Sequence, residues 1–270
     1  MIFIGETING GSAHYDIKGA ILGRDADFIR SLAVAQADAG VDYIDVNAGT
    51  NPDRETEDLL WLIDVVQSAV DTPICIDTST HSAMKEAIRQ VNKTPMVDSI
   101  NGDPRMLEEF LPIIKALNCP FVVQGLDRSK SSMPKDMEEM LIILDRIFAA
   151  SRKMGIDDES IHVDPMLMSI AADHTAGKAA LDSIRAIHER YPRAHITCGL
   201  SNISHGLPEC SLINRTFLTL AIGAGLDSVI ADPLDTELIK SLYAANLALG
   251  NDRFCRKFTT AARRGFPVIK

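Results

Sequence analysis

The sequence predicts an α/β protein, a closed (β/α)8 TIM barrel in one domain over residues 1–270, and two observations predict it. Short apolar runs alternate eight times with stretches of helical periodicity, joined by short connections without a break in composition. Alternating β and α elements imply a parallel sheet, and eight such units in this length suit a closed barrel. The apolar runs also stop abruptly at an amide or a carboxylate, as in Ile74-Cys75-Ile76-Asp77, Ile161-His162-Val163-Asp164 and Cys198-Gly199-Leu200-Ser201-Asn202. A strand buried on both faces reads as a continuous apolar run, so the polar residue marks where it leaves the core.

The first strand, Ile2–Ile4, runs on to Glu6 and Asn9, and Gly10-Gly11-Ser12 reads as a loop. A helix follows over Asp25–Ala39, stopped by Gly40. Tyr43–Val46 leads into Asn47-Ala48-Gly49, and the next helix, Arg54–Val70, sets Leu59, Leu62, Ile63 and Val66 on one face. The third strand, Ile74–Ile76, ends at Asp77 before a helix over His81–Gln90. The fourth, Met96–Ile100, ends at Asn101-Gly102-Asp103, where Asp103-Pro104 opens a helix to Leu117 because proline is tolerated in a first turn.

Phe121–Val123 ends at Gln124, and the polar stretch Asp127–Ser132 reads as a lid or docking surface before a long helix, Asp136–Met154. The sixth strand, Ile161–Val163, ends at Asp164-Pro165 and precedes a helix over Thr175–Arg190. The seventh, His195–Leu200, ends at Asn202, with its helix beginning near Asn214. The eighth, Ser228–Ala231, ends at Asp232-Pro233, and Thr236–Leu249 is the last long helix before a basic tail. An open doubly wound sheet is the alternative, but no G-x-G-x-x-G follows the first strand, where a dinucleotide site requires it.

Composition narrows the function. A net charge of −10 opposes binding to a phosphate backbone, and 5% aromatic residues leave little for base stacking, so no nucleic-acid partner is expected. No run approaches the apolar length of a membrane helix, and the first residues lack a basic signal-peptide head, so no membrane partner is expected either. Five widely spaced cysteines without a C-x-x-C fit a reducing cytoplasm.

In a barrel, the strand ends share one rim, and sites sit there. These ends carry Glu6, Asn47, Asp77, Asn101, Gln124, Asp164, Asn202 and Asp232, a neutral-to-acidic set. No lysine stands among them for a Schiff base, and no serine or cysteine has histidine at motif spacing. Asp77 and Asp164 carry hard-metal oxygens, but amides separate the acids, so no metal site is assigned. The mixture suits a heterocycle rich in N–H donors, because aspartate accepts from adjacent donors while asparagine both donates and accepts. Bland readings stand beside this one. Asp77 can cap the following helix, Asp164-Pro165 and Asn101-Gly102-Asp103 can be turns, and Asn202 can satisfy loop backbone. His174 and His205 read as surface residues, and Met166 and Met168 as core.

At Gly5-Glu6-Thr7-Ile8-Asn9, Ile74-Cys75-Ile76-Asp77, Ser99-Ile100-Asn101, Val163-Asp164-Pro165, Gly199-Leu200-Ser201-Asn202 and Leu212-Ile213-Asn214-Arg215-Thr216-Phe217, the chain resembles the pterin-binding methyltransferases. It is most similar to the methyltetrahydrofolate:corrinoid-protein methyltransferases, over nearly its whole length. The resemblance implies tetrahydrofolate or 5-methyltetrahydrofolate as substrate, with Asp77, Asn101 and Asp164 at the pyrimidine edge. It places Gly199 and Ser201 in the binding loop, Ile230 against the ring, and Asn202 at N5 as the catalytic amide. It also implies a corrinoid supplied by a partner corrinoid protein, no metal held by this chain, and a homodimer. Dihydropteroate synthase and a non-catalytic pterin-binding module are the alternatives. The former needs a late-strand Lys and Arg set, against which Asp232-Pro233 speaks.

Three departures from the family pattern stand out. Thr7 replaces an arginine, and His205 and Cys210 stand where relatives carry Gln and Arg. These bear on the folate tail and the partner rather than on the pterin pocket. The corrinoid-binding D-x-H-x-x-G is also absent, since Asp173-His174-Thr175-Ala176-Gly177 lacks the spacer, in accord with a corrinoid carried elsewhere.

Overall fold

Eight parallel strands stand side by side in the computed structural model, which describes residues 1–12, 14–130, 133–267 and 269. They are β1 (Ile2–Asn9), β2 (Tyr43–Asn47), β3 (Ile74–Asp77), β4 (Met96–Asn101), β5 (Phe121–Gln124), β6 (Ile161–Asp164), β7 (His195–Ile196) and β8 (Ser228–Ala231). Their order is β7-β6-β5-β4-β3-β2-β1-β8. The ring closes between its ends: Ile230 N–H donates to the Cys198 carbonyl at 3.0 Å, and Gly199 bridges Ile230 in parallel.

Helices α1 (Ile17–Gly23), α2 (Ala26–Asp38), α3 (Pro52–Ala69), α4 (His81–Gln90) and α5 (Pro104–Leu117) wrap the first half. The second half carries α6 (Met137–Lys153), α7 (Ala176–Arg190), α8 (Cys210–Ala224), α9 (Thr236–Ala248) and α10 (Arg256–Arg263). Aspartates 25, 103, 136 and 235 each accept a first-turn N–H, which is why these helix starts fall close to their predicted positions. No helix among the described residues is long and apolar enough to cross a membrane.

Two apolar layers follow from the two-residue period of a strand. One set of side chains faces outward and packs under the helices, as with Phe3, Ile44, Val97 and Val163. The other faces inward, where Ile4, Cys75, Met96, Val122 and Ile230 plug the barrel. His162 joins this interior, its Nδ1 lying 3.2 Å from Ser228 Oγ, and burial holds its ring neutral by pushing its pKa down to about 3.

Four elements differ from expectation. β1 continues to Asn9, with its register shifting between Gly5 and Ile8, and α1 fills part of the predicted loop. Only seven residues long, with glycines at 19 and 23, α1 has too little periodicity to announce itself; the Asp16 cap and burial of Ile17, Ala20 and Ile21 stabilise it. The predicted seventh strand, His195–Leu200, pairs as a strand only through Ile196; the chain then crosses to β8 and tightens into a 3-10 turn, Leu200–Ser204. α8 correspondingly starts at Cys210, about a turn before Asn214. In the polar stretch Asp127–Ser132, residues 127–130 form a turn, and 131–132 lie outside the described residues.

Candidate active site

Stepping two residues up each strand from the inward apolar plug reaches the mouth. Ile4 leads to Glu6, Cys75 to Asp77, Met96 to Asp98, Val122 to Gln124, His162 to Asp164, and Ile230 to Asp232. On β2, Tyr43 leads to Asp45 and then Asn47. These upper side chains line one cavity of about 750 Å3 together with Gly199, Ser201 and Asn202. Segments far apart in sequence converge because every strand presents the same parity at the same end of the barrel.

Asp77 is held by two amides: Asn47 Nδ2 donates to its Oδ2 at 2.8 Å, and Asn9 Nδ2 at 3.5 Å. Asn9 Nδ2 also donates to Asp45 Oδ2 at 3.0 Å. Asp164 divides its oxygens. Oδ1 accepts Met166 N–H at 2.8 Å, as its turn reading expects, while Oδ2 accepts Gln124 Nε2 at 3.0 Å and faces the cavity. Ser201 Oγ donates to Glu6 Oε2 at 3.2 Å, and the Tyr15 hydroxyl donates to Asp232 Oδ2 at 3.2 Å. Asn202 is exposed in the cavity, and a Cβ on Gly199 would stand 3.1 Å from its Nδ2. Glycine at 199 therefore gives the amide its room.

The structure does not bring Asn101 to this cavity. Asn101 stands an odd number of residues beyond the inward-facing Met96 and Asp98. Asn101 is buried beside the wall, where its Oδ1 accepts Asp103 N–H at 2.8 Å, so the turn reading describes it. Asp98 occupies the mouth instead. Asp98 and Asp45 carry no signal at the end of an apolar run, because each interrupts its run instead. Counting inward positions by twos from Met96 and from Tyr43 finds them. Asn214, within the Leu-Ile-Asn-Arg-Thr-Phe segment, also reaches the cavity, and its Oδ1 is buried without a partner among the described residues.

So many carboxyls buried in one mouth cannot all ionise cheaply. Burial pushes the Glu6 carboxyl up to about 8, with the charges of Asp77 and Asp232 adding to the rise and the Ser201 hydrogen bond opposing it. Burial raises Asp77 to about 6, restrained by the Asn47 hydrogen bond. Burial likewise raises Asp45, Asp98 and Asp164, and the neighbouring acids Asp77 and Glu6 add to the rise at Asp45 and Asp98. The free site thus holds protons at neutral pH. A ligand offering N–H donors stabilises the ionised carboxylates and replaces those protons.

A raised pKa contributes stability that is full below the ordinary carboxyl value and lost as pH climbs through the raised one. For Glu6 that window runs from 4.5 to about 8. The free protein is therefore expected to lose melting temperature across it. Glu6→Gln, which carries no titrating group, is expected to lose less. Thermal unfolding of both proteins from pH 5 to 9 checks this, and parallel curves would assign the loss to other groups.

The fold and this mouth define a parallel (β/α)8 barrel with an acid-lined cavity at the C-terminal ends of its strands. Residues 15–232 match the family model described as pterin binding enzyme. The chain belongs to that family. It is 37% identical over 265 residues to the methylcorrinoid:tetrahydrofolate methyltransferase of Eubacterium limosum, covering 98% of this chain and 97% of that protein. It is also 22% identical over 242 residues to the methionine synthase of Mycobacterium leprae, spanning 85% of this chain but a 20% share of that much longer protein. Among solved structures it resembles dihydropteroate synthase from Coxiella burnetii in complex with pteroic acid, with a TM-score of 0.68 at 18% identity over 91% of this chain and 94% of that one. The enzyme from Vibrio fischeri gives 0.65 at 15% identity, over 92% and 93%. At such identities the synthases share the fold alone. The full-length relative places this chain with the tetrahydrofolate–corrinoid methyltransferases.

Proposed function

We propose that this chain transfers a methyl group between a methylcorrinoid and N5 of tetrahydrofolate, with the pterin seated in the acidic mouth and the corrinoid brought by a partner protein. The observation that carries the reading is the convergence of Asp77, Asp98 and Asp164 on one cavity that also exposes the amide of Asn202. The 2-amino group and N3–H of a pterin present adjacent donors, which ionised aspartates accept. Asp98 takes the pyrimidine-edge role expected of Asn101, while Asp77 and Asp164 keep theirs. Gly199 and Ser201 shape the loop at Asn202, and Ile230 supplies an apolar wall.

Methylation of tetrahydrofolate, the direction in the Eubacterium relative's name, needs N5 to attack the methyl carbon. The N–C bond forms as the Co–C bond breaks, the bonding electrons remain on cobalt, and N5 sheds a proton. Positive charge grows on N5 in the transition state in either direction. An amide oxygen aimed there stabilises that charge more than it stabilises the bound substrate, so it accelerates transfer. Asn202 cannot carry the proton itself; the Glu6 carboxyl, joined to the adjacent Ser201 and with its pKa raised to about 8, takes it when ionised and returns it, from its protonated form, in the reverse direction.

The whole chain is read as one pterin-binding barrel domain, residues 1–270. Five unpaired cysteines accord with a cytoplasmic location, and the family resemblance supports a homodimer.

The test mixes the protein with tetrahydrofolate and a methylated corrinoid, free or protein-bound, and follows the corrinoid absorbance. Transfer is expected in both directions with 5-methyltetrahydrofolate as the product or donor. Tight folate binding without any methyl exchange would reduce the chain to a pterin-binding module, and condensation of a pterin diphosphate with p-aminobenzoate would make it a dihydropteroate synthase.

A further inference from the structure

The cavity has a strong charge asymmetry. Seven carboxyl side chains line it against a single guanidinium, Arg128, with no lysine among the described residues. Tetrahydrofolate, the substrate on which this inference rests through the function proposed above, is not uniformly suited to such a site. Its pterin is neutral and rich in donors, but its benzoylglutamate tail ends in carboxylates. Buried acids repel that end, and only a fixed cation on the wall offsets the repulsion.

Arg128 is held ready for such a role. The residue before it, Asp127, is 4% exposed, and its carboxylate is fully engaged. Oδ2 accepts Arg146 Nη2 at 2.8 Å, and Oδ1 accepts Ser129 N–H at 3.1 Å and Ser129 Oγ at 2.5 Å. Lys130 N–H closes the turn on the Asp127 carbonyl at 3.0 Å. The neighbouring acid is thus consumed in building the turn. Its charge is neutralised by Arg146, not by Arg128. Other arginines, such as Arg24, Arg152, Arg190 and Arg193, are in ion pairs, whereas Arg128 is exposed, lines the cavity, and has no carboxylate at ion-pair distance among the described residues.

We propose that Arg128 captures a carboxylate of the glutamate tail of tetrahydrofolate, so that the turn after β5 selects folates over bare pterins. A planar guanidinium suits this task because it binds a carboxylate through two parallel hydrogen bonds and stays charged at every working pH.

The experiment compares binding of tetrahydrofolate and of 6-methyltetrahydropterin, which lacks the tail, to wild type, Arg128→Ala and Arg128→Glu. Arg128→Ala is expected to weaken tetrahydrofolate binding about tenfold, Arg128→Glu more, and neither to change the Kd for 6-methyltetrahydropterin beyond about twofold. Added salt is expected to weaken tetrahydrofolate binding to wild type and to have less effect on Arg128→Ala. Unchanged tetrahydrofolate binding in both variants would overturn the assignment while leaving the pterin reading intact. Equal losses for both ligands would show that the turn merely shapes the pocket. Wild-type protein that binds neither ligand would overturn the pterin reading and this inference together.

Discussion

Asn202→Ala is expected to lower kcat roughly a hundredfold or more while changing the Kd for tetrahydrofolate by less than about threefold. The asymmetry follows from where the charge is. In the bound substrate N5 is a nearly neutral amine, and an amide beside it exchanges one solvent contact for another. As the methyl group moves, N5 becomes cationic, and the amide oxygen then faces a charge in a low-dielectric mouth. Single-turnover rates from corrinoid absorbance, set beside equilibrium binding, separate the two quantities. Equal losses in rate and affinity would make Asn202 a uniform binder and remove its role at N5. Asn202 is exposed, so the variant is expected to melt near the wild-type temperature.

Asp98→Ala is expected to weaken tetrahydrofolate binding between about tenfold and a hundredfold, while Asn101→Ala leaves it within about twofold. The two residues sit on the same strand, and only parity separates them. Asp98 presents its carboxylate to the cavity. Asn101 spends its oxygen on the Asp103 N–H. Stability is expected to move the opposite way. Asn101→Ala leaves the partly buried Asp103 N–H without its acceptor, costing about 1 kcal/mol. Asp98→Asn removes a carboxyl that burial and neighbouring acids disfavour in its ionised form, so the free protein is expected to melt higher at neutral pH. Calorimetric titration with tetrahydrofolate and thermal melts of the free variants check both halves. Loss of binding in Asn101→Ala with none in Asp98→Ala would reverse the assignment.

The barrel was legible because its strands are buried on both faces and its helices are amphipathic, so the eight alternations stand out without any motif. Helix starts were legible where an aspartate caps them, as at Asp25 and Asp136. α1 was not, since a two-turn helix with two glycines is sustained by burial rather than by propensity. The site was legible in part. Asp77, Asp164 and Asn202 close an apolar run or its loop, and all three reach the mouth. Asn101 also follows an apolar run, but it stands an odd number of residues from the inward Met96 and Asp98 and is buried outside the cavity. Asp45 and Asp98 were hidden for the converse reason, being acids inside a strand whose parity, not whose end, sets their direction. The network that holds Asp77 through Asn9 and Asn47 needed coordinates, since the two amides meet it from different strands.

Methyl transfer at this site depends on a pterin lying in the C-terminal mouth with its pyrimidine edge toward the buried aspartates. A crystal structure with tetrahydrofolate bound measures this directly. The predicted result has the 2-amino group and N3 within hydrogen-bond distance of carboxylates drawn from Asp77, Asp98 and Asp164, and N5 facing the Asn202 amide. Density for the ring outside the mouth, or a ring inside it with N5 turned away from Asn202, would contradict the account.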